Sequence, residues 1–381
     1  MTRTRNRTAL FAAFASLGVT AAFVPAALPS AERMLSAELS AAVPALFAGL
    51  LVGVLLSGPL LVRRPPRVTL ILGSALQAAA LVAAAWAGHP AVFLGAAAIA
   101  GLGFGLVEAA GSVAAKAAAT GSATGMLSAL MGTVAVCAAL TPLAVAAGSE
   151  ALPMLSILAV VPLVTIVLLA GGREPSASAS DMPVRRDARA LLPLLPFAVA
   201  LPLYVGVETV LSGWSAVIPE RALALDPAAA ALGTSVFWAL MAVGRFGAAG
   251  LRRRAVSPVT ILAVGTIGAA CLMATAGMLV GGFPVGALAA LAASVVLLAP
   301  SYGLIVGLAL DRLDAARSAA VTGALVACGA VGGTFVPSLV LLVGRDPASS
   351  TTLIISAALC AVVPVLVLVA ARVGRRAPTR P

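Results

Sequence analysis

The chain alternates long apolar runs with short polar breaks. A helix needs about 20 consecutive apolar residues to cross a ~30 Å hydrocarbon core, at 1.5 Å rise per residue. Twelve runs meet that length: 9–28, 39–62, 68–88, 90–115, 122–146, 151–171, 190–218, 228–251, 258–280, 283–310, 316–343 and 350–372. Adjacent runs are divided by turn-forming residues, with His89-Pro90 and Gly281-Gly282 as the shortest divisions. The pattern predicts an all-α membrane protein. Inside the runs, polar positions are sparse and recur at helical spacing. Tyr204, Glu208, Ser212 and Ser215 fall on one side of the seventh run, and Phe104, Glu108 and Ser112 on one side of the fourth.

Composition agrees with this reading. Hydrophobic residues make up 61% of 381 and charged residues only 10%. A soluble domain carries about a quarter charged residues, so a water-exposed surface cannot be built from this chain. The net charge of +11 reads as topology. Twenty of the 24 Lys and Arg fall on the two tails and on alternate loops, and cytoplasmic segments hold the basic excess. Both termini are therefore expected in the cytoplasm, and the first apolar run is read as an uncleaved span. Basic residues spread over seven separate segments argue against a nucleic-acid surface.

The chain repeats itself. At an offset of 188, Gly18, Val19, Glu32, Arg33 and Leu35 match Gly206, Val207, Glu220, Arg221 and Leu223. At 191, Gly53, Arg63, Val68 and Thr69 match Gly244, Arg254, Val259 and Thr260, and at 195 Pro142 matches Pro337. A polar, Ser/Pro-rich segment separates the halves. The expected organisation is a six-helix bundle over 1–171, a cytoplasmic linker over 172–189, and a second six-helix bundle over 190–381, related by a pseudo-twofold axis. Duplicated carriers of this kind place the substrate near the bilayer midplane between the halves.

This organisation resembles the major facilitator superfamily over the whole chain. After the second run, "GPLLVRRPPR" (58–67) keeps Gly58, Leu60, Arg63 and Arg67 of the family's loop motif, with Val62 and Pro65 in place of its aspartate and second glycine. "GFGLVEAAGS" (103–112) is similar to the fourth-span motif of fucose:proton symporters, and the resemblance implies a protonation site at Glu108. "YVGVETVLSGW" (204–214) is similar to a seventh-span pattern of bacterial sugar transporters, which carries Glu208. The fifth-span antiporter signature is not met, since Thr141 precedes Pro142 and the final glycines are absent.

An acid in the middle of a span costs about 2.5–3.5 kcal/mol to insert and marks a functional site by default. Glu108 and Glu208 are accordingly the candidate proton-coupling residues. Tyr204, Ser212, Ser215, Ser112, Thr20, Gln77, Trp238 and Tyr302 are the candidate substrate-cavity residues. Glu208 aligns with Thr20 in the internal repeat, so that acid belongs to one half only. Arg245 either reaches for the membrane surface or pairs with Asp311 or Asp314 as a gate. The whole chain has one Gln, Gln77, and one Asn, Asn6. Sugar hydroxyls are held by groups that both donate and accept, such as amides, so the cavity suits a less hydroxylated, amphipathic solute as well.

No catalytic site is expected. One histidine, His89, cannot build a triad or an imidazole metal site, and no phosphate-binding Gly-x-x-x-x-Gly-Lys-Ser/Thr loop occurs. The cysteines are spaced as packing residues. No cofactor or metal is expected. The reading is a proton-coupled secondary transporter that takes a small-molecule substrate and protons, sits as a monomer in the inner (plasma) membrane, and works by alternating access. Sugar-like symport and efflux of amphipathic metabolites are both open, with a non-transporting scaffold or sensor as a third class.

Overall fold

The computed structural model describes residues 2–118, 123–148, 151–170, 194–310, 312 and 315–375. They form helices and connecting turns: α1 (Thr2–Leu35), α2 (Ala42–Arg63), α3 (Pro66–Ala85), α4 (Pro90–Ala118), α5 (Ala123–Ala147), a 3₁₀ segment (Leu152–Ala159) running into α6 (Val160–Ala170), α7 (Leu195–Gly213), α8 (Val217–Leu223), α9 (Pro227–Arg253), α10 (Pro258–Leu279), α11 (Pro284–Leu298), α12 (Ser301–Leu310), α13 (Ala315–Gly344) and α14 (Ser350–Arg375). Twelve helical stretches among the described residues are long and apolar enough to cross a membrane. The chain is a multi-pass membrane protein.

Two departures from the expected spans matter for the site. The tenth apolar run is not one helix: it breaks at Ala299-Pro300 into α11 and α12. Pro300 has no N–H, so it cannot bond back into the preceding turn. The seventh run ends at Gly213, and Ser215 lies beyond it in the turn before α8. Ser215 therefore leaves the predicted polar stripe; its hydroxyl meets Thr234 at 2.9 Å instead.

The chain divides into two compact units. The first holds Met1–Ser180 together with Gly213–Glu220 and Ala224–Trp238; the second holds Asp181–Ser212, Arg221–Leu223 and Ala239–Pro381. In the first, α1, α4 and the end of α6 close over a core of Leu10, Phe14, Leu17, Leu70, Val107 and Leu169. Beside it, α2 and α4 meet backbone to backbone. A Cβ on Gly49 would collide with the Ala98 carbonyl, and one on Gly53 with the Leu102 carbonyl; from the other side, Gly101 and Gly105 face the Leu46 and Leu50 carbonyls. Small residues at the contact let two membrane helices approach this closely. The Arg67 guanidinium donates to the Ala170 carbonyl at 2.7 Å, satisfying the open end of α6.

The residues matched by the internal repeat take matched places in their own units. Gly18 packs α1 against Val134 and Cys137 of α5, and Gly206 packs α7 against Gly332 and Val336 of α13. Gly53 faces the Leu102 carbonyl of α4, and Gly244 faces the Val296 carbonyl of α11. The duplication seen in the sequence is thus a duplication of helix-to-helix contacts.

Candidate functional site

In the first unit, α4 is held on three sides by small residues. Gly105 meets α2, Gly103 meets Gly73 and Gln77 of α3, and Gly111 meets the Phe14 ring of α1. What this leaves is the stripe of Phe104, Glu108 and Ser112, all half-buried. Among the described residues Glu108 makes neither a hydrogen bond nor an ion pair. Thr20 and Gln77, expected to line a cavity, are completely buried, and their polar side-chain atoms meet no hydrogen-bond partner among the described residues. Gln77 packs into the α3–α4 contact against Gly103.

In the second unit a polar group gathers around the break between α11 and α12. Glu208 comes from α7, one turn after Tyr204. Arg245 comes from α9, and its guanidinium reaches the Glu208 carboxylate at 3.8 Å, an ion pair too long to be a hydrogen bond. The Arg245 Nε donates to the Ala299 carbonyl at 3.3 Å. The break makes this contact available. Without Pro300's N–H, the Val296 carbonyl loses its normal helical partner, and Gly244 brings the α9 backbone directly onto it. Arg245, the next residue, then lies over the end of α11. Arg245 thus meets a carboxylate and a helix end. Asp311 and Asp314, the expected gate partners, lie outside the described residues.

The rest of this group is hydroxyl-rich. Tyr204 is 1% exposed. Its hydroxyl faces the Glu208 carboxylate and the backbone of Tyr302, yet meets neither in good hydrogen-bond geometry. Ser301, the first residue of α12, is fully buried, and its Oγ has no partner among the described residues. The Ala299 carbonyl and Ser301 were missed by sequence reasoning. The one signal was the Pro300-Ser301 pair inside an apolar run. Ser212 stays on α7, half-buried, with its hydroxyl 3.5 Å from the Thr209 carbonyl. Tyr302 is half-buried at the start of α12. Trp238 packs edge-on to Phe237, with ring centroids 5.6 Å apart.

No protein-family model matches the chain, and no curated protein matches it. Solved structures do. A D-xylose-proton symporter aligns with a TM-score of 0.78 at 15% identity, covering 96% of this chain and 97% of that one. The nucleoside transporter NupG aligns at 0.73 and 13% identity, covering 97% and 100%. The E. coli fucose:proton symporter FucP aligns at 0.64 and 17% identity, covering 97% and 99%. What is shared at this identity is the fold.

Proposed function

We propose that the chain, which has the twelve-helix fold of major facilitator transporters, is a proton-coupled secondary transporter of a small organic solute, working by alternating access in the inner (plasma) membrane, as a monomer with both termini cytoplasmic. Sugar-like symport is the reading favoured here, since the proteins of like fold include xylose and fucose proton symporters. The observation that carries the proposal is Glu108. An acid kept only to tie helices together would be bonded to a neighbour. Among the described residues Glu108 has no such bond, on a half-buried stripe of an apolar helix. A carboxyl so placed suits taking and giving up a proton. Glu108 is assigned the proton, and Glu208 the solute side.

A second reading, efflux of amphipathic metabolites, draws on Gln77. The chain's single glutamine is spent inside the α3–α4 contact, so carboxamides do not furnish a sugar site. One assay separates the readings. Purified protein in liposomes is given an imposed pH gradient and a panel of xylose, fucose, uridine, glucuronate and a lipophilic cation. Symport predicts accumulation of a neutral solute with the proton flow, and efflux predicts extrusion of the cation against it. In either case Glu108→Gln abolishes gradient-driven movement and leaves solute exchange at equilibrium. Undiminished gradient-driven movement in Glu108→Gln overturns the assignment of Glu108, and the absence of gradient-dependent flux of every probe overturns the transporter.

A further inference from the structure

Among the described residues, the side chains around the α11–α12 break offer more donors than acceptors. A guanidinium carries five N–H groups. Among the described residues, Arg245 uses one in a 3.3 Å bond to Ala299 and offers another to Glu208 at 3.8 Å. The remainder are unclaimed, and the Arg245 side chain is 46% exposed. Tyr204 lies beside this ion pair, its buried hydroxyl facing Glu208 and the Tyr302 backbone, and Ser301, two residues after Ala299, has a buried hydroxyl that meets no partner among the described residues. Burying a hydroxyl without a partner costs free energy, so Ser301 marks a position where a ligand atom is due. Ser301 also opens α12, a ten-residue helix, and the N-terminal end of a helix carries partial positive charge. Among the described residues the one fully charged acceptor is Glu208, and at 3.8 Å it sits too far from the guanidinium to satisfy it.

We infer that this group is a carboxylate-binding subsite, and that the transported solute is an organic anion whose carboxylate takes the place of Glu208 on Arg245. Planar guanidinium and planar carboxylate match two bonds to two oxygens. The hydroxyls of Tyr204 and Ser301 supply the remaining donors. Glu208 holds the guanidinium in the empty carrier and releases it to the solute. A hydroxylated carboxylate such as a sugar acid unites this subsite with the sugar-like reading above, on which the inference rests.

The test is binding to the purified full-length protein in detergent, by calorimetry. The probes are acetate, lactate, benzoate and glucuronate, with acetamide, methyl lactate, methyl benzoate and glucose as their uncharged counterparts. At least one acid binds and its counterpart does not. Arg245→Lys and Arg245→Gln weaken the acid by about tenfold or more, as the paired fork is lost. Glu208→Gln removes the competitor and tightens the same acid by about tenfold. That gain cannot come from misfolding, so it stands even if Arg245→Gln elutes as an aggregate. Equal binding of acid and counterpart, failure of all four acids to bind, or a Glu208→Gln loss as large as that of Arg245→Lys overturns the inference. Gradient-driven flux of a neutral sugar with no acid bound would sink this subsite and leave the transporter standing. Acid binding at Arg245 with no gradient-driven flux of any solute would do the reverse.

Discussion

The indole N–H of Trp214 donates to the backbone carbonyl of Ser40 at 3.1 Å, across 174 residues of sequence. Both groups are buried. Trp214 follows α7 directly, yet the chain changes unit between Ser212 and Gly213, so the tryptophan belongs to the unit of α1 and α2. Gly213 reinforces the contact: a Cβ there would run into Val43. Trp214→Phe keeps the ring and strands the carbonyl, at a cost of about 1–3 kcal/mol. The bond uses the Ser40 main chain, so Ser40→Cys leaves it intact. A maleimide should label that cysteine slowly in the parent and at least about fivefold faster with Trp214→Phe. Equal labelling rates would show that the bond does not hold this end of α7.

Gly105 offers a cleaner test of packing. Valine there would drive its methyl groups into the Leu50 carbonyl and the backbone of Val54. Overpacking of this kind costs about 1–3 kcal/mol or more. Gly132, with nothing near its missing Cβ, serves as the control. Gly105→Val should lower the melting midpoint in detergent and broaden the elution profile, while Gly132→Val leaves both near the parent.

Asp346 makes two kinds of contact with one oxygen. Its Oδ1 accepts from the Arg221 guanidinium at 2.8 Å and from the Ala348 N–H at 2.9 Å. The ion pair is partly solvated and is worth about 0.2–1 kcal/mol. The turn bond adds its own contribution of about 1 kcal/mol. Asp346→Ala should therefore destabilise more than Arg221→Ala in thermal melts. Raising the salt concentration should shrink the Arg221→Ala effect and leave most of the Asp346→Ala effect in place.

Much of the architecture was legible from the sequence because membrane spans are written in run length. The internal repeat was legible too, and its glycines proved to be contact points: Gly18 with Gly206, Gly53 with Gly244. The break in the tenth span was not. Pro25, Pro29, Pro59, Pro142, Pro202, Pro337 and Pro364 all sit inside unbroken helices, so a proline alone does not mark a break, and only the serine after Pro300 hinted at one. At the site, the acids announced themselves because a charge in a span is expensive. The partner of Arg245 did not, since Glu208 lies 37 positions away on another helix and only tertiary packing brings them together. Ala299 contributes through its carbonyl, which no side-chain pattern can signal.

The backbone-to-backbone contacts carry a consequence for heredity. Every amino-acid replacement that a single base change can make in a glycine codon adds a Cβ. At Gly49, Gly53, Gly101 and Gly105 that atom has nowhere to go, because main chain, which cannot rotate aside, fills the space. These positions have no neighbouring step in sequence space that keeps α2 on α4. The open positions, Gly58, Gly88, Gly95 and Gly132, have many. Variation among natural copies of this protein should therefore collect at the second set and stop at the first, regardless of which solute each copy carries.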